Sequence, residues 1–242
     1  MIELRDAQVV VPSPEGATTI LQPTSLTLAE RRISIIGGNG SGKSTLARLC
    51  NGLIEPSAGT VTVRAGSGDA VEGPDRGRPF DTRRDGAAVR RTVGFVFTDA
   101  SAQLIMPTVA EDVALSLRRA HRNKADRLAA ATAVLERFGL APLAERSVHT
   151  LSGGQKQLLA IATVLATDPA ILVADEPTTL LDLRNARMIG ELLMSLPQQV
   201  IVVTHDLELA LQAERTLVVE SGRVAFDGDP DEAVARYREL AR

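Results

Sequence analysis

Short apolar runs recur along the chain, separated by stretches in which apolar residues return every three or four positions. Ile33-Ser34-Ile35-Ile36, Thr92–Phe97, Ile171–Ala174 and Val200–Thr204 have the length and composition of strands buried on both faces. Between them, helical spacing predicts a helix beginning near Lys43 and others over Val109–Arg119, Lys124–Phe138, Gly153 to about Ala166, Leu183–Leu196 and Leu207–Ala213. Gly139 closes the third of these and Asp168-Pro169 stops the fourth. Apolar strands alternating with helices imply a parallel sheet covered on both sides. The ends of the chain read differently. Ile2–Val11 and Thr18–Leu28 are alternating strands around the turn-rich Pro12–Gly16, and Thr60–Arg64 is a third. Thr216–Glu220 and Arg223–Asp227 form a hairpin through Ser221-Gly222, and a last helix follows Asp229-Pro230. The helical middle, about Val109 to Ala166, interrupts the alternation as a subdomain set into the sheet. Ala65–Arg91, rich in Gly and charge, is expected to be an irregular, mobile surface excursion.

The strand–helix junction at Gly37-Gly38-Asn39-Gly40-Ser41-Gly42-Lys43-Ser44-Thr45 carries the first chemistry. Its G-x-x-x-x-G-K-[ST] spacing, after a strand and opening a helix, is that of a phosphate-binding loop. Successive glycines let the backbone turn several N–H groups inward, at a helix N-terminus that already favours anions. Lys43 would reach the β- and γ-phosphates of ATP, and the Ser44 hydroxyl would ligate Mg²⁺. The fold implied is α/β, a P-loop NTPase core with a parallel sheet, an N-terminal antiparallel β subdomain and the inserted helical subdomain, all within one domain over 1–242. A second junction, Ile171-Leu172-Val173-Ala174-Asp175-Glu176, is an apolar strand ending in two acids. Asp175 can hold Mg²⁺ through its water shell, and Glu176 can polarise a water for attack on the γ-phosphate. Alone, the pair could be an acidic turn; beside a phosphate loop, the chemical reading is the stronger.

Composition narrows the rest. A chain of 242 residues buries roughly 70–75% of its unfolded surface and needs no disulfide or metal staple. Cys50, the single cysteine, lies on the apolar face of the first helix and reads as core. A net charge of −3, five Phe, one Tyr and no Trp argue against nucleic acid as a partner. No apolar run approaches a membrane span and no leader precedes the first strand, so the chain is expected to be soluble and cytoplasmic, reaching a membrane through partners.

Leu151-Ser152-Gly153-Gly154-Gln155 opens a helix with two glycines, which could be only a cap or could leave N–H groups free for phosphate. Together with the phosphate loop and the acid pair, this pentapeptide resembles the ATP-binding-cassette ATPases. The resemblance implies that His205, in Val203-Thr204-His205-Asp206, senses the γ-phosphate, and that Leu181-Asp182 meets the opposite subunit. It implies a dimer, as a homodimer or with a related chain, in which Ser152–Gln155 of one subunit close on ATP held by Gly37–Thr45 of the other. It further implies a transmembrane coupling subunit, a substrate-binding membrane subunit and a place on the cytoplasmic face of the cell membrane.

Val93–Phe97, Gln103-Leu104, Pro107-Thr108-Val109 and Glu111-Asp112-Val113 are similar to the ATPases of energy-coupling-factor importers. Arg31-Arg32-Ile33 and Thr179–Asn185 look most like the biotin-uptake branch, with cobalt and nickel importers as alternatives. A non-transport cassette would carry long insertions or a second cassette; a small-molecule kinase would leave Leu151–Gln155 without a purpose. Two positions depart from the family pattern: Val11 stands where an aromatic usually stacks on adenine, and Thr98 where a metal-contacting glutamine is usual, with Gln103 five residues later.

Overall fold

The computed structural model describes residues 1–14, 16–64 and 78–240. The first strands, β1 (Ile2–Ser13) and β2 (Gly16–Leu28), form an antiparallel hairpin. β3 (Arg32–Ile36) runs into α1 (Lys43–Asn51), after which β4 (Ala58–Val63) returns to pair with β1. A short β5 (Phe80–Asp81) pairs with β4, then α2 (Gly86–Thr92) leads into β6 (Val93–Val96). Three helices follow: α3 (Val109–Ser116), α4 (Lys124–Arg137) and α5 (Gly153–Leu165). The chain then alternates through β7 (Ile171–Asp175), α6 (Leu183–Ser195), β8 (Gln199–Val203) and α7 (Leu207–Ala210). It closes with the hairpin β9 (Arg215–Glu220) and β10 (Arg223–Gly228), and with α8 (Pro230–Leu240).

Two sheets result, a four-stranded one in the order β2-β1-β4-β5 and a six-stranded one in the order β10-β9-β3-β8-β7-β6. In the larger sheet every pairing is parallel except β9 with β10. The period-2 alternation of strands explains how the layers are divided. Ile171 and Val173 of β7, with Ile201 and Val203 of β8, face α1 and the antiparallel sheet; Leu172, Ala174, Val200 and Val202 face α5 and α6. α1 is thus enclosed between the two sheets, and Cys50 on it is buried, its thiol pushed up to about 12 by burial. Inert core packing is the role its position allows.

The helical insertion has its own buried cluster, including Val109, Val113, Leu135, Leu140, Val148 and Leu159. Ala100 and Leu104 join it, so it starts earlier than the helical periodicity suggested. α5 serves both sides: Leu159 and Ala162 pack into the helical cluster, Ile161 and Leu165 against the sheet. The expectation for Ala65–Arg91 needs correction. Its first part, 65–77, lies outside the described residues, but the remainder holds β5 and α2 joined by a turn. Phe80 and Val89 are buried in the main core, and Asp85 accepts from the Asp81 N–H at 3.0 Å. Burial of those two side chains outweighs the polar composition around them.

Candidate active site

Parallel pairing fixes where the loops emerge. Ile35 is level with Val203, and Val203 with Asp175, so the segments after β3, β7 and β8 leave the same edge of the sheet. That edge, at the C-terminal ends of parallel strands, is where such folds gather ligands. It carries Gly37–Thr45, Asp175-Glu176 and Thr204-His205.

The phosphate loop is held by backbone contacts. Gly37 has φ 149° and a Cβ there would overlap the Val219 carbonyl, while Gly42 has φ 104° and caps α1 without a side chain. The Ser41 carbonyl accepts from Gly222 N–H at 2.8 Å, and the Gly222 carbonyl accepts from Gln22 N–H at 2.8 Å. The β9–β10 turn therefore pins the loop to β2, a role that sequence reasoning missed although the Ser221-Gly222 turn was legible. Lys43 is buried and its ammonium donates to the Gly37 and Gly38 carbonyls, each at 2.8 Å. Burial pushes its pKa down, partly countered by the nearby Glu176 and Asp175 carboxylates. The Ser41 hydroxyl is buried without a partner among the described residues. An orphaned hydroxyl, an uncapped helix start and a lysine at the loop mouth fit a phosphate group.

Asp175 ends β7 with its side chain 2% exposed. Its Oδ1 accepts from Ser44 Oγ at 2.8 Å, and its Oδ2 lies 3.7 Å from an Arg48 guanidinium nitrogen. Burial pushes the Asp175 carboxyl up, against the pull of the Ser44 hydrogen bond and of Arg48. Ser44 and Asp175 thus offer the hard oxygen donors that suit Mg²⁺. Glu176 takes φ 53°, a left-handed conformation that costs a residue with a Cβ roughly 1–3 kcal/mol. Its N–H donates to the Val203 carbonyl at 2.9 Å, and its Oε2 accepts from Thr179 Oγ1 at 2.9 Å. The same Oε2 lies 2.8 Å from His205 Nδ1. The turn brings the carboxylate to His205, and a carboxylate held in this way can act as a general base.

The positions that depart from the family pattern are tied to backbone. Thr98 Oγ1 donates to the Asp175 carbonyl at 2.9 Å, and Gln103 Oε1 accepts from the Phe97 N–H at 3.2 Å. Thr98 therefore braces the strand end that carries the acid pair. Val11, paired with Thr18 in the β1–β2 hairpin, is 38% exposed.

Ser152–Gln155 sit apart. Ser152 Oγ accepts from the Gln155 N–H at 3.3 Å and Gln155 Oε1 accepts from the Ser152 N–H at 3.0 Å, a reciprocal capping box. Gly153 is exposed, whereas Gly154 is buried and a Cβ there would overlap the Asn185 amide. Asn185 is fixed in turn by Asp182, which accepts from its N–H at 2.9 Å and from its Nδ2 at 2.7 Å. The structure brings Lys43, Ser44, Asp175, Glu176 and His205 together. Among the described residues, no hydrogen bond or ion pair joins Ser152–Gln155 to Gly37–Thr45. Leu180 and Leu183, flanking Leu181-Asp182, are 69% and 68% exposed.

Comparison with known proteins gives the family. Residues 21–179 match the family model described as ABC transporter. The biotin transport ATP-binding protein BioM of Rhizobium etli is 45% identical over 226 residues, covering 93% of this chain and 94% of its own. The energy-coupling factor transporter ATP-binding protein EcfA2 of Methanospirillum hungatei is 37% identical over 248 residues, covering all of this chain and 58% of its own. Among solved structures, the ATP-binding cassette MJ0796, a post-hydrolysis dimer bound to ADP and Pi, is 30% identical. It superposes with a TM-score of 0.79 over 95% of this chain and 99% of that one. On these grounds the chain belongs to the ABC transporter family, as one of its ATP-hydrolysing cassettes.

Proposed function

We propose that the chain is the ATPase subunit of an energy-coupling-factor-type importer and that the solute it helps to import is the vitamin biotin. The observation that carries the chemistry is the convergence of Lys43, Ser44, Asp175, Glu176 and His205 on one sheet edge beside a loop that fits phosphate. In this reading Gly37, Gly38, Asn39, Gly40, Ser41, Gly42 and Thr45 cradle the phosphates of ATP with backbone N–H groups and the α1 dipole. Lys43 exchanges its carbonyl partners for phosphate oxygens. Ser44 and Asp175 hold Mg²⁺, which when bound shields the charge of the β- and γ-phosphates. Glu176 takes a proton from the attacking water, and His205, beside its carboxylate, senses the γ-phosphate. Ser152, Gly153, Gly154 and Gln155 act from a second subunit, closing on the nucleotide across a dimer interface, and hydrolysis releases that closure.

Transport requires partners. A coupling subunit in the membrane and a substrate-binding membrane subunit would convert dimer closure into movement, with this chain at the cytoplasmic face of the cell membrane. None of the described helices is long and apolar enough to cross a membrane, which fits attachment through partners. Biotin rests on similarity to BioM at 45% identity, together with the Arg31-Arg32-Ile33 and Thr179–Asn185 resemblance. Cobalt and nickel uptake remain the alternatives. The test is to isolate the native complex through this subunit, identify its membrane proteins and measure solute binding to the complex. Retention of biotin supports the reading, and retention of Co²⁺ or Ni²⁺ in its place moves the chain to the metal branch. A complex without membrane subunits contradicts the importer assignment.

A further inference from the structure

We propose that Arg48 sets the divalent-cation requirement of the site, as a built-in charge that competes for the Asp175 carboxylate. The proposal rests on the reading of Ser44 and Asp175 as cation ligands. Ser44 and Arg48 stand four residues apart on α1, so both project from the same face toward β7. They divide the carboxylate between them, Ser44 Oγ at 2.8 Å from Oδ1 and the Arg48 guanidinium at 3.7 Å from Oδ2. Asp175 is almost wholly buried, but the Arg48 side chain is 46% exposed. The guanidinium thus reaches in from the solvent side with room to withdraw. Among the described residues it makes no hydrogen bond, so nothing else fixes its place.

A dication drawn to Asp175 is repelled by the Arg48 guanidinium, and its approach weakens the attraction between Arg48 and the carboxylate. Both effects oppose metal binding and leave nucleotide binding without metal largely untouched. Because Arg48 is half exposed, water and salt screen it, and its influence belongs to the scale of surface ion pairs. It is therefore a positioning residue that tunes metal affinity, with no part in the chemical step.

The test is ADP binding by calorimetry at stepped free Mg²⁺, with an EDTA baseline, on the parent, Arg48→Met, Arg48→Lys and Ser44→Ala. Removing the charge while keeping the aliphatic stem should lower the Mg²⁺ concentration for half-maximal effect by roughly two- to fivefold. Arg48→Lys should stay close to the parent, and the difference should shrink in high salt. Binding in EDTA certifies that the Met variant keeps its site; if it does not bind there, Arg48→Gln takes its place. An unchanged or raised Mg²⁺ midpoint in the uncharged variant overturns the proposal. If the parent responds to Mg²⁺ and Ser44→Ala does not, that failure falls on Arg48 alone. A parent indifferent to Mg²⁺ removes the cation reading and this inference with it.

Discussion

The two helices that carry the glycine motifs, α1 and α5, have first turns finished in opposite ways. α1 starts from Gly42 with no side-chain cap, its loop held by the Val219 carbonyl behind Gly37 and by the Gly222 turn beside Ser41. α5 starts from Ser152 with a complete capping box, and Gly154 is packed against Asn185. Ser41 Oγ, buried without a partner among the described residues, and Glu176, at positive φ, both lie on the α1 side. α1 leaves its first turn uncapped, as an anion site requires. The first turn of α5 is already capped within its own chain, which suits a surface that adds to a site assembled elsewhere. In the proposed reading the first is a binding loop and the second a closing face.

The largest effect that sharpens this contrast is at Glu176. Glu176→Gln should lower the ATPase rate by about 10²–10⁴-fold while ATP binding survives, since a general base contributes that much. A rate within about twofold of the parent would assign the proton transfer to another group. Next come the two glycines of α5. Gly154→Ala should lower stability by roughly 1–3 kcal/mol, because its Cβ meets the Asn185 amide in packed surroundings. Gly153→Ala, with no contact closer than 3.7 Å, should leave thermal unfolding near the parent's. Equal melting curves for the two would mean that Gly154 is not the packed residue of the pair.

The smallest effect concerns charge on the α1 side. Burial raises the Asp175 carboxyl above its ordinary 3.8, so the folded chain keeps this proton at a pH where the unfolded chain has released it. The resulting penalty is absent below the unfolded value, grows as pH rises toward the folded value and is complete above it. Asp175→Asn should therefore melt higher than the parent near neutral pH and lose that advantage as pH is lowered toward about 4. An advantage that does not change with pH would trace to shape in place of charge. Such a variant should also lose its response to Mg²⁺ in nucleotide binding.

How much of this was legible in the sequence depended on whether backbone or packing carried the information. The loop from Gly37 to Thr45 and the strand ending at Asp175 were legible because glycine spacing and an apolar run determine them locally. Residues 78–91 were not, because Phe80 and Val89 are single apolar residues among arginines, aspartates and glycines. Their burial comes from tertiary contacts, with β5 pairing with β4 and both side chains joining the main core. Arg31 and Arg32 read as family markers and prove to be structural clamps. Arg32 is buried, with its guanidinium donating to the Met194, Arg31, Gln198 and Leu196 carbonyls, and Arg31 donates to the Leu196 carbonyl at 3.1 Å. Gln103 had a candidate metal role on sequence grounds, yet its amide accepts from Phe97. Only the three-dimensional neighbours could have shown these ties.

In the proposed dimer the α5 face of one subunit completes the α1 site of another, and subunit complementation can decide whether it does. Lys43→Ala removes the phosphate contact. Gly153→Asp puts a carboxylate where the helix dipole welcomes it but a phosphate would be repelled. Each variant alone should be inactive. In a two-fold dimer, an equal mixture forms mixed pairs with one site whose halves are both intact, so about a quarter of the parent ATPase rate should return. A mixture as inactive as its components, with mixed dimers demonstrated by mass, would contradict the account.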